Sequence, residues 1–67
     1  MTVVYDKLWK LIIDNKMKKT DLITCANISA NVLARMGKEE SVSMESIGKI
    51  CKYFNCTVDD ILEIIIE

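Results

Sequence analysis

The sequence contains no histidine and no proline, and only two of its 67 residues are glycine. Without histidine, zinc sites of the usual Cys/His kind lack ligands, and no two cysteines are spaced as Cys-x-x-Cys. There is also no phosphate-binding glycine loop and no nucleophile motif. We therefore predict no metal, no cofactor and no catalytic residue, so that an enzyme is the least favoured class of protein.

Cysteine is scarce, and its three copies cannot all pair within one chain. Cys25, Cys51 and Cys56 are most simply small buried apolar residues in a reducing compartment. A redox-sensing thiol is the alternative, and it requires exposure beside positive charge. Cys51, between Lys49 and Lys52, is the candidate for that role.

Long apolar runs are absent as well. Met1 to Asp6 lacks the basic start and apolar stretch of a signal peptide, and the longest run, Ile64 to Ile66, is too short to span a membrane. We therefore expect a soluble cytoplasmic protein. The 51% hydrophobic content and the length are typical of one helical domain covering residues 1–67.

The net charge of −1 and pI of about 5.3 argue mildly against a nucleic-acid ligand. The distribution of charge matters more than the sum. Lysines gather at positions 16, 18 and 19, and acids gather after residue 58. One basic face and one acidic end would still orient the molecule on DNA.

Apolar residues recur at helical spacing in several segments and predict a bundle of five helices. The predicted helices cover residues 5–15, 19–26, 30–36, 44–54 and a short last segment from the cap Thr57 to about residue 62. Helix 1 should bury Tyr5, Leu8, Trp9, Ile12 and Ile13. The β-branched ends, Val3-Val4 and Ile64 to Ile66, favour short terminal strands.

Residues that start and stop helices stand between these segments. We expect Ser29 and Ser43 to cap the third and fourth helices, and Thr57 with Asp60 to form a capping box. The expected helix terminators are Asn15, Asn27, Gly37 and Asn55.

The second and third predicted helices are short and are joined by the tight turn 27–29, which predicts a helix-turn-helix motif. A recognition helix must protrude to enter the major groove, so it buries only a narrow stripe. The third helix fits this, because Leu33 and Met36 form its inward seam.

Residues 16–22, 28–36 and 42–62 together resemble the phage repressor and Cro family, often called the XRE family. The resemblance covers nearly the whole chain and implies a five-helix, lambda-repressor-like domain that binds DNA. Some positions depart from the family. Lys18 stands where a serine cap is usual, Ile23 where alanine is usual, and Asn27 where glycine is usual.

The resemblance also implies a DNA-contacting surface. The base-reading positions carried over from the family are Ala30, Asn31, Ala34 and Arg35, and the phosphate-contacting positions are Lys18, Lys19, Lys38, Ser41 and Ser43. The chemistry agrees, because Asn pairs with adenine, Arg pairs with guanine, and alanine methyl groups contact thymine. Each of these residues also has the simpler interpretation of ordinary solvated surface.

Two functions are consistent with this pattern. The first is a sequence-specific DNA-binding transcriptional regulator, most simply a repressor. The second is a protein-interaction module of the same fold that does not bind DNA, such as an antitoxin-like partner, which the acidic pI favours.

The apolar chain ends predict a homodimer. Ile64, Ile65 and Ile66 with Val3 and Val4 exceed what a five-helix core buries easily, and pairing as strands within or between chains would cover them. The alternative is that both ends fold onto their own core.

Overall fold

The computed structural model describes residues 1–66 and shows helices framed by two short paired strands. The elements are β1 (Thr2–Val4), α1 (Asp6–Asp14), α2 (Asp21–Cys25), α3 (Ala30–Gly37), α4 (Met44–Phe54), a 3₁₀ turn (Val58–Asp60) and β2 (Glu63–Ile65). The strands pair antiparallel, with Val3 opposite Ile64. The predicted mostly helical fold with terminal strands is confirmed. Within the described residues no helix has both the length and the apolar character to cross a membrane.

The prediction of a fifth α-helix is wrong. The capping box forms as expected, because the Thr57 N–H donates to Asp60 Oδ2 at 3.1 Å, but only the single 3₁₀ turn follows. The β-branched run after Ile61 explains this. Glu63–Ile65 instead pair with β1, where strand hydrogen bonds replace those that a continued helix would have made.

The core is a single cluster to which every helix contributes. Its buried members are Val3, Tyr5, Leu8, Ile12, Leu22, Ala26, Ile28, Met36, Ile47, Ile50 and Ile61. One inward prediction is wrong, because Ile13 is 72% exposed. Conversely, Ile28 was assigned to a turn and is buried, so the turn between α2 and α3 is anchored in the core.

Three helices end in the same six-residue Schellman turn, in which a left-handed residue closes two backbone hydrogen bonds. The left-handed residues are Lys16 (φ 57°), Glu39 (φ 58°) and Asn55 (φ 54°). The first and sixth residues are joined by N–H to carbonyl bonds of 2.9 Å for Met17 to Ile12, 3.0 Å for Glu40 to Arg35 and 3.0 Å for Cys56 to Cys51. The same backbone turn therefore places together an apolar pair, a charged pair and two thiols.

The predicted helix terminators fare unequally. Asn55 takes the left-handed conformation as expected, and Asn27 does so at φ 59°. Asn15 does not, because Lys16 takes that role one residue later. Gly37 lies inside α3 without positive φ, and Glu39 reverses the chain.

Glu39 offers a test of this helix end. Glu39→Gly should stabilise the domain by about 0.5–1 kcal/mol, because glycine adopts positive φ without the Cβ clash that glutamate suffers. Chemical denaturation measures the change. Glu39→Ala is the matched control, since it removes the charge but keeps the Cβ, and it should give no such gain. Equal gains from both variants would assign the effect to charge instead.

Candidate nucleic-acid interface

The start of α2 compensates for the missing serine cap. The helix begins at Asp21, two residues later than predicted, and the Lys18 N–H donates to Asp21 Oδ2 at 2.9 Å. The next backbone bonds, Asp21 to Lys18 and Leu22 to Lys19, join residues three apart. The chain thus enters α2 through a tight first turn that the Asp21 carboxylate ties to the Lys18 backbone, while the N-cap residue Thr20 makes no side-chain cap bond.

The turn into α3 sets how far that helix protrudes. Asn27 turns the chain with its positive φ, Ile28 inserts into the core, and the Ser29 side chain accepts the Val32 N–H at 3.1 Å. The predicted cap at Ser29 is confirmed. Because a core residue lies between turn and cap, the angle between α2 and α3 is fixed by packing as well as by backbone geometry.

The outer face of α3 carries the four predicted base-reading residues. Ala30, Asn31, Ala34 and Arg35 are all exposed. Their positions, i, i+1, i+4 and i+5, put them on one side of the helix. Met36 is fully buried, and Val32 and Leu33 are partly buried against the core. The helix therefore buries a narrow stripe and leaves its opposite face open.

Arg35, the single arginine of the sequence, is paired with an acid that sequence reasoning missed. Its Nε lies 3.4 Å from Glu40 Oε1, and both side chains are about half exposed. The hydroxyl of the buried Tyr5 donates to the Glu40 backbone carbonyl at 2.8 Å and so fixes the position of that backbone. Burial raises the pKa of Tyr5, and the nearby Arg35 charge opposes that shift. Arg35 and Glu40 are the first and sixth residues of the Schellman turn at Glu39, so they could be predicted as partners only if the turn itself was predicted there.

The predicted phosphate-contacting residues are all exposed but differ in what holds them. The Lys19 ammonium lies 4.3 Å from the centre of the Trp9 ring, a cation–π contact that anchors it beside α2. The Ser43 hydroxyl accepts the Ser46 N–H at 3.2 Å and so caps α4, as predicted. Ser41 lines an apolar groove formed partly by the chain ends.

A second cationic surface was not predicted as a site. An open groove of about 560 Å³ lies beside the α2–α3 turn and is lined by Cys25, Ala26, Asn27, Lys49, Lys52 and Tyr53. Lys49 donates to the Asn27 carbonyl at 3.4 Å and lies 3.9 Å from Glu45. A hydrogen bond with the exposed Cys25 is the main cause that raises the pKa of Tyr53. Cys25 is thus not the buried residue that the sequence predicted.

Residues 1–66 contain no group of three or more Cys, Asp or Glu side chains placed to hold a metal ion. The chemistry available at this surface is hydrogen bonding from amide and guanidinium groups, apolar contact from alanine methyls, and positive charge at the rim. Those are the means by which proteins read base edges and hold a phosphate backbone.

A short helix, a tight anchored turn and a second helix with one bare face define a helix-turn-helix DNA-binding domain. The sequence matches the Cro/C1-type HTH DNA-binding domain over residues 7–67, and the chain belongs to that family. The resemblance to phage repressors and Cro is thereby confirmed. No curated protein matches the sequence significantly.

A solved structure agrees with this assignment. The crystal structure of the transcriptional regulator VanUg is 44% identical in sequence and superposes with a TM-score of 0.91. The match covers 98% of this chain and 88% of that one. The family and this neighbour together support a DNA-binding regulator.

Proposed function

We propose that this chain is a single-domain, sequence-specific transcriptional repressor that inserts α3 into the major groove. The observation that carries the proposal is the exposed face of α3, where one amide, one guanidinium and two methyl groups lie together. Family membership and the likeness to a transcriptional regulator support it. In this proposal it has no catalytic activity, and it acts on DNA in the cytoplasm.

Base reading falls to four residues of α3 in this proposal. Asn31 pairs with the N6 and N7 edge of adenine, Arg35 pairs with O6 and N7 of guanine, and the methyl groups of Ala30 and Ala34 pack on thymine. To reach a base, Arg35 must leave Glu40, and their half-exposed pair at 3.4 Å is weak enough to exchange.

Phosphate contacts fall to the rim of the motif. Lys18 and Lys19 precede α2, and Lys38 follows α3, so the three lysines flank the reading helix in sequence. Ser41 adds a hydroxyl donor beyond them. The Ser43 hydroxyl already accepts a hydrogen bond as the cap of α4. Ser43 therefore acts by orienting the first turn of α4, because the N-terminus of a helix favours an anion such as phosphate.

A second candidate function is a protein-interaction module of the same fold, such as an antitoxin-like partner. Two observations favour it: the net charge of −1, and the acids Glu39 and Glu40 beside the only arginine. A surface that must approach phosphates is weakened by such neighbours. Absence of any DNA binding at low salt, together with capture of one specific protein, would select this function.

We propose that the repressor is a homodimer built from the chain ends. The strands pair within the chain, yet Ile64, Ile65 and Ile66 stay exposed. Ile64 lines a groove of about 170 Å³ with apolar residues from both chain ends, from the start of α4 and the loop before it, and from the 3₁₀ turn: Met1, Val3, Val42, Met44, Val58 and Leu62. Val4 is only half-buried, opposite Glu63. To bind two half-sites, a dimer formed through this surface would have to hold its recognition helices about 34 Å apart, one turn of DNA.

Genomic footprinting of the purified protein at two salt concentrations tests the proposal. A specific DNA-binding repressor should protect a small set of related, near-palindromic sites at both concentrations. Uniform weak protection that disappears at the higher salt would mean electrostatic association without sequence reading. No protection at either salt would favour the interaction module.

Lys19 provides a separate test of the phosphate contacts. Lys19→Ala should weaken binding to preferred and random sequences alike and reduce the slope of log affinity against log salt by about one unit. Lys10→Ala is the matched control, because Lys10 is an exposed lysine of α1 that lines a different groove. An unchanged slope for Lys19→Ala, or an equal change for Lys10→Ala, would remove Lys19 from the interface.

A further inference from the structure

The end of α4 brings two cysteines together through the backbone turn that closes the helix. The Cys56 N–H donates to the Cys51 carbonyl at 3.0 Å, and the Asn55 N–H donates to the Lys52 carbonyl at 3.3 Å. These are the two bonds of a Schellman turn, which packs the side chains of its first and sixth residues against each other. In α1 those positions hold Ile12 and Met17. At the end of α4 both hold thiols.

The two thiols interact and are within reach of small molecules. Burial raises the pKa of the Cys56 thiol, and the neighbouring Cys51 thiol raises it further. Both side chains are half-buried. Cys56 also lines an open groove of about 390 Å³ whose charged residues balance, two lysines (Lys7 and Lys10) against two aspartates (Asp14 and Asp60).

We propose that Cys51 and Cys56 form a reversible intrachain disulfide by exchange with a small disulfide that enters this groove. A disulfide requires Cα atoms roughly 4.4–6.8 Å apart, and a backbone hydrogen bond between the same two residues brings them close to that separation.

The chemistry balances without any group beyond the small disulfide. One cysteine thiolate attacks a sulfur of the reagent, whose S–S bond breaks, and one reagent thiolate leaves and takes up a proton. The second cysteine, as its thiolate, then attacks the protein sulfur of this mixed disulfide. The Cys51–Cys56 bond forms and the second reagent thiol is released. The protein loses two protons and two electrons, and one reagent disulfide takes them up to become two thiols.

The third cysteine cannot complete this reaction in the same way. Cys25 lies on α2 in the groove beside the α2–α3 turn, near Tyr53. A mixed disulfide formed there has no adjacent thiol to resolve it. The position of the pair, and not cysteine content alone, is therefore what makes the end of α4 a modification site.

The test titrates the full chain carrying Cys25→Ser with mixtures of reduced and oxidised glutathione, followed by alkylation and mass spectrometry. We expect both remaining thiols to disappear together, with a mass loss of two hydrogen atoms and no glutathione adduct. The effective concentration of one thiol toward the other should be at least about ten-fold higher in native buffer than in urea. A chain that stays reduced, keeps glutathione, or shows equal values in urea would overturn the proposal.

Three further variants separate geometry from simple reactivity. Adding Cys56→Ser should leave a single glutathione adduct on Cys51, because no second thiol resolves it, and a complete lack of adduct would mean that the site is closed to the reagent. Asn55→Gly keeps the left-handed turn and should preserve disulfide formation, whereas Asn55→Val strains that turn and should lower the effective concentration in native buffer. Equal behaviour of these last two would show that the turn does not create the site.

Discussion

Replacing Arg35 by alanine should lower affinity for the preferred DNA site by roughly 5- to 150-fold, equivalent to about 1–3 kcal/mol. The loss should be confined to the preferred site, because a guanine-reading arginine contributes to sequence preference while the lysines supply general affinity. The variant should therefore discriminate less between that site and one altered at the contacted base pair. Titration of the two duplexes at one fixed salt concentration measures both effects. Unchanged binding to the preferred site would remove Arg35 from base reading.

Glu40→Gln is the matched variant for this experiment. It removes the ion pair but keeps the backbone carbonyl that Tyr5 holds. Freed from its partner and from a nearby negative charge, Arg35 should bind the same site about 2- to 5-fold more tightly. The double variant should lose that gain, since no arginine remains to be released. A gain that persists in the double variant would assign the effect of Glu40 to repulsion of phosphate.

Replacing Ile64 by lysine should convert the full chain from dimer to monomer at micromolar concentration. A charge at a surface that must be desolvated opposes association, and loss of the second half should weaken binding to a palindromic site by about 10²- to 10⁴-fold. Sedimentation measures the first effect and duplex titration the second. This change is sharper than ending the chain after Glu63, because truncation would also remove the partners of Thr2 and Val3 in β1.

The control is Ile13→Lys, which introduces the same charge at an isoleucine that is 72% exposed on α1. It should leave both the dimer and the DNA affinity unchanged. A monomeric unmodified chain would refute the homodimer. A dimer that survives Ile64→Lys would locate the interface elsewhere on the molecule.

The sequence predicted the motif well because its signals are local. The caps at Ser29 and Ser43, the turn at Asn27 and the inward Met36 each depend on neighbours a few residues away. The family resemblance then indicated which face of α3 to examine, and all four positions are exposed there.

The failures lie where distant parts of the chain compete with local preference. A fifth helix was predicted from the Thr57 cap, but β1, some sixty residues earlier, captures the segment that would have extended it. Gly37 is a good terminator by residue type, yet the chain reverses at Glu39, where Tyr5 binds the following residue. The Arg35–Glu40 pair follows from that reversal, so periodicity could not reveal it.

The pairing of β1 with β2 joins the two ends of the chain, and this has a kinetic consequence. The helices close through contacts within each segment, whereas Val3 meets Ile64 only after nearly the whole chain has been ordered. We therefore expect the strands to form last during folding and to exchange their amide hydrogens first in the native protein. The surface proposed for dimerisation uses both ends, so it exists only on a completely folded chain. Partly folded copies would lack this surface, so only completely folded chains would dimerise.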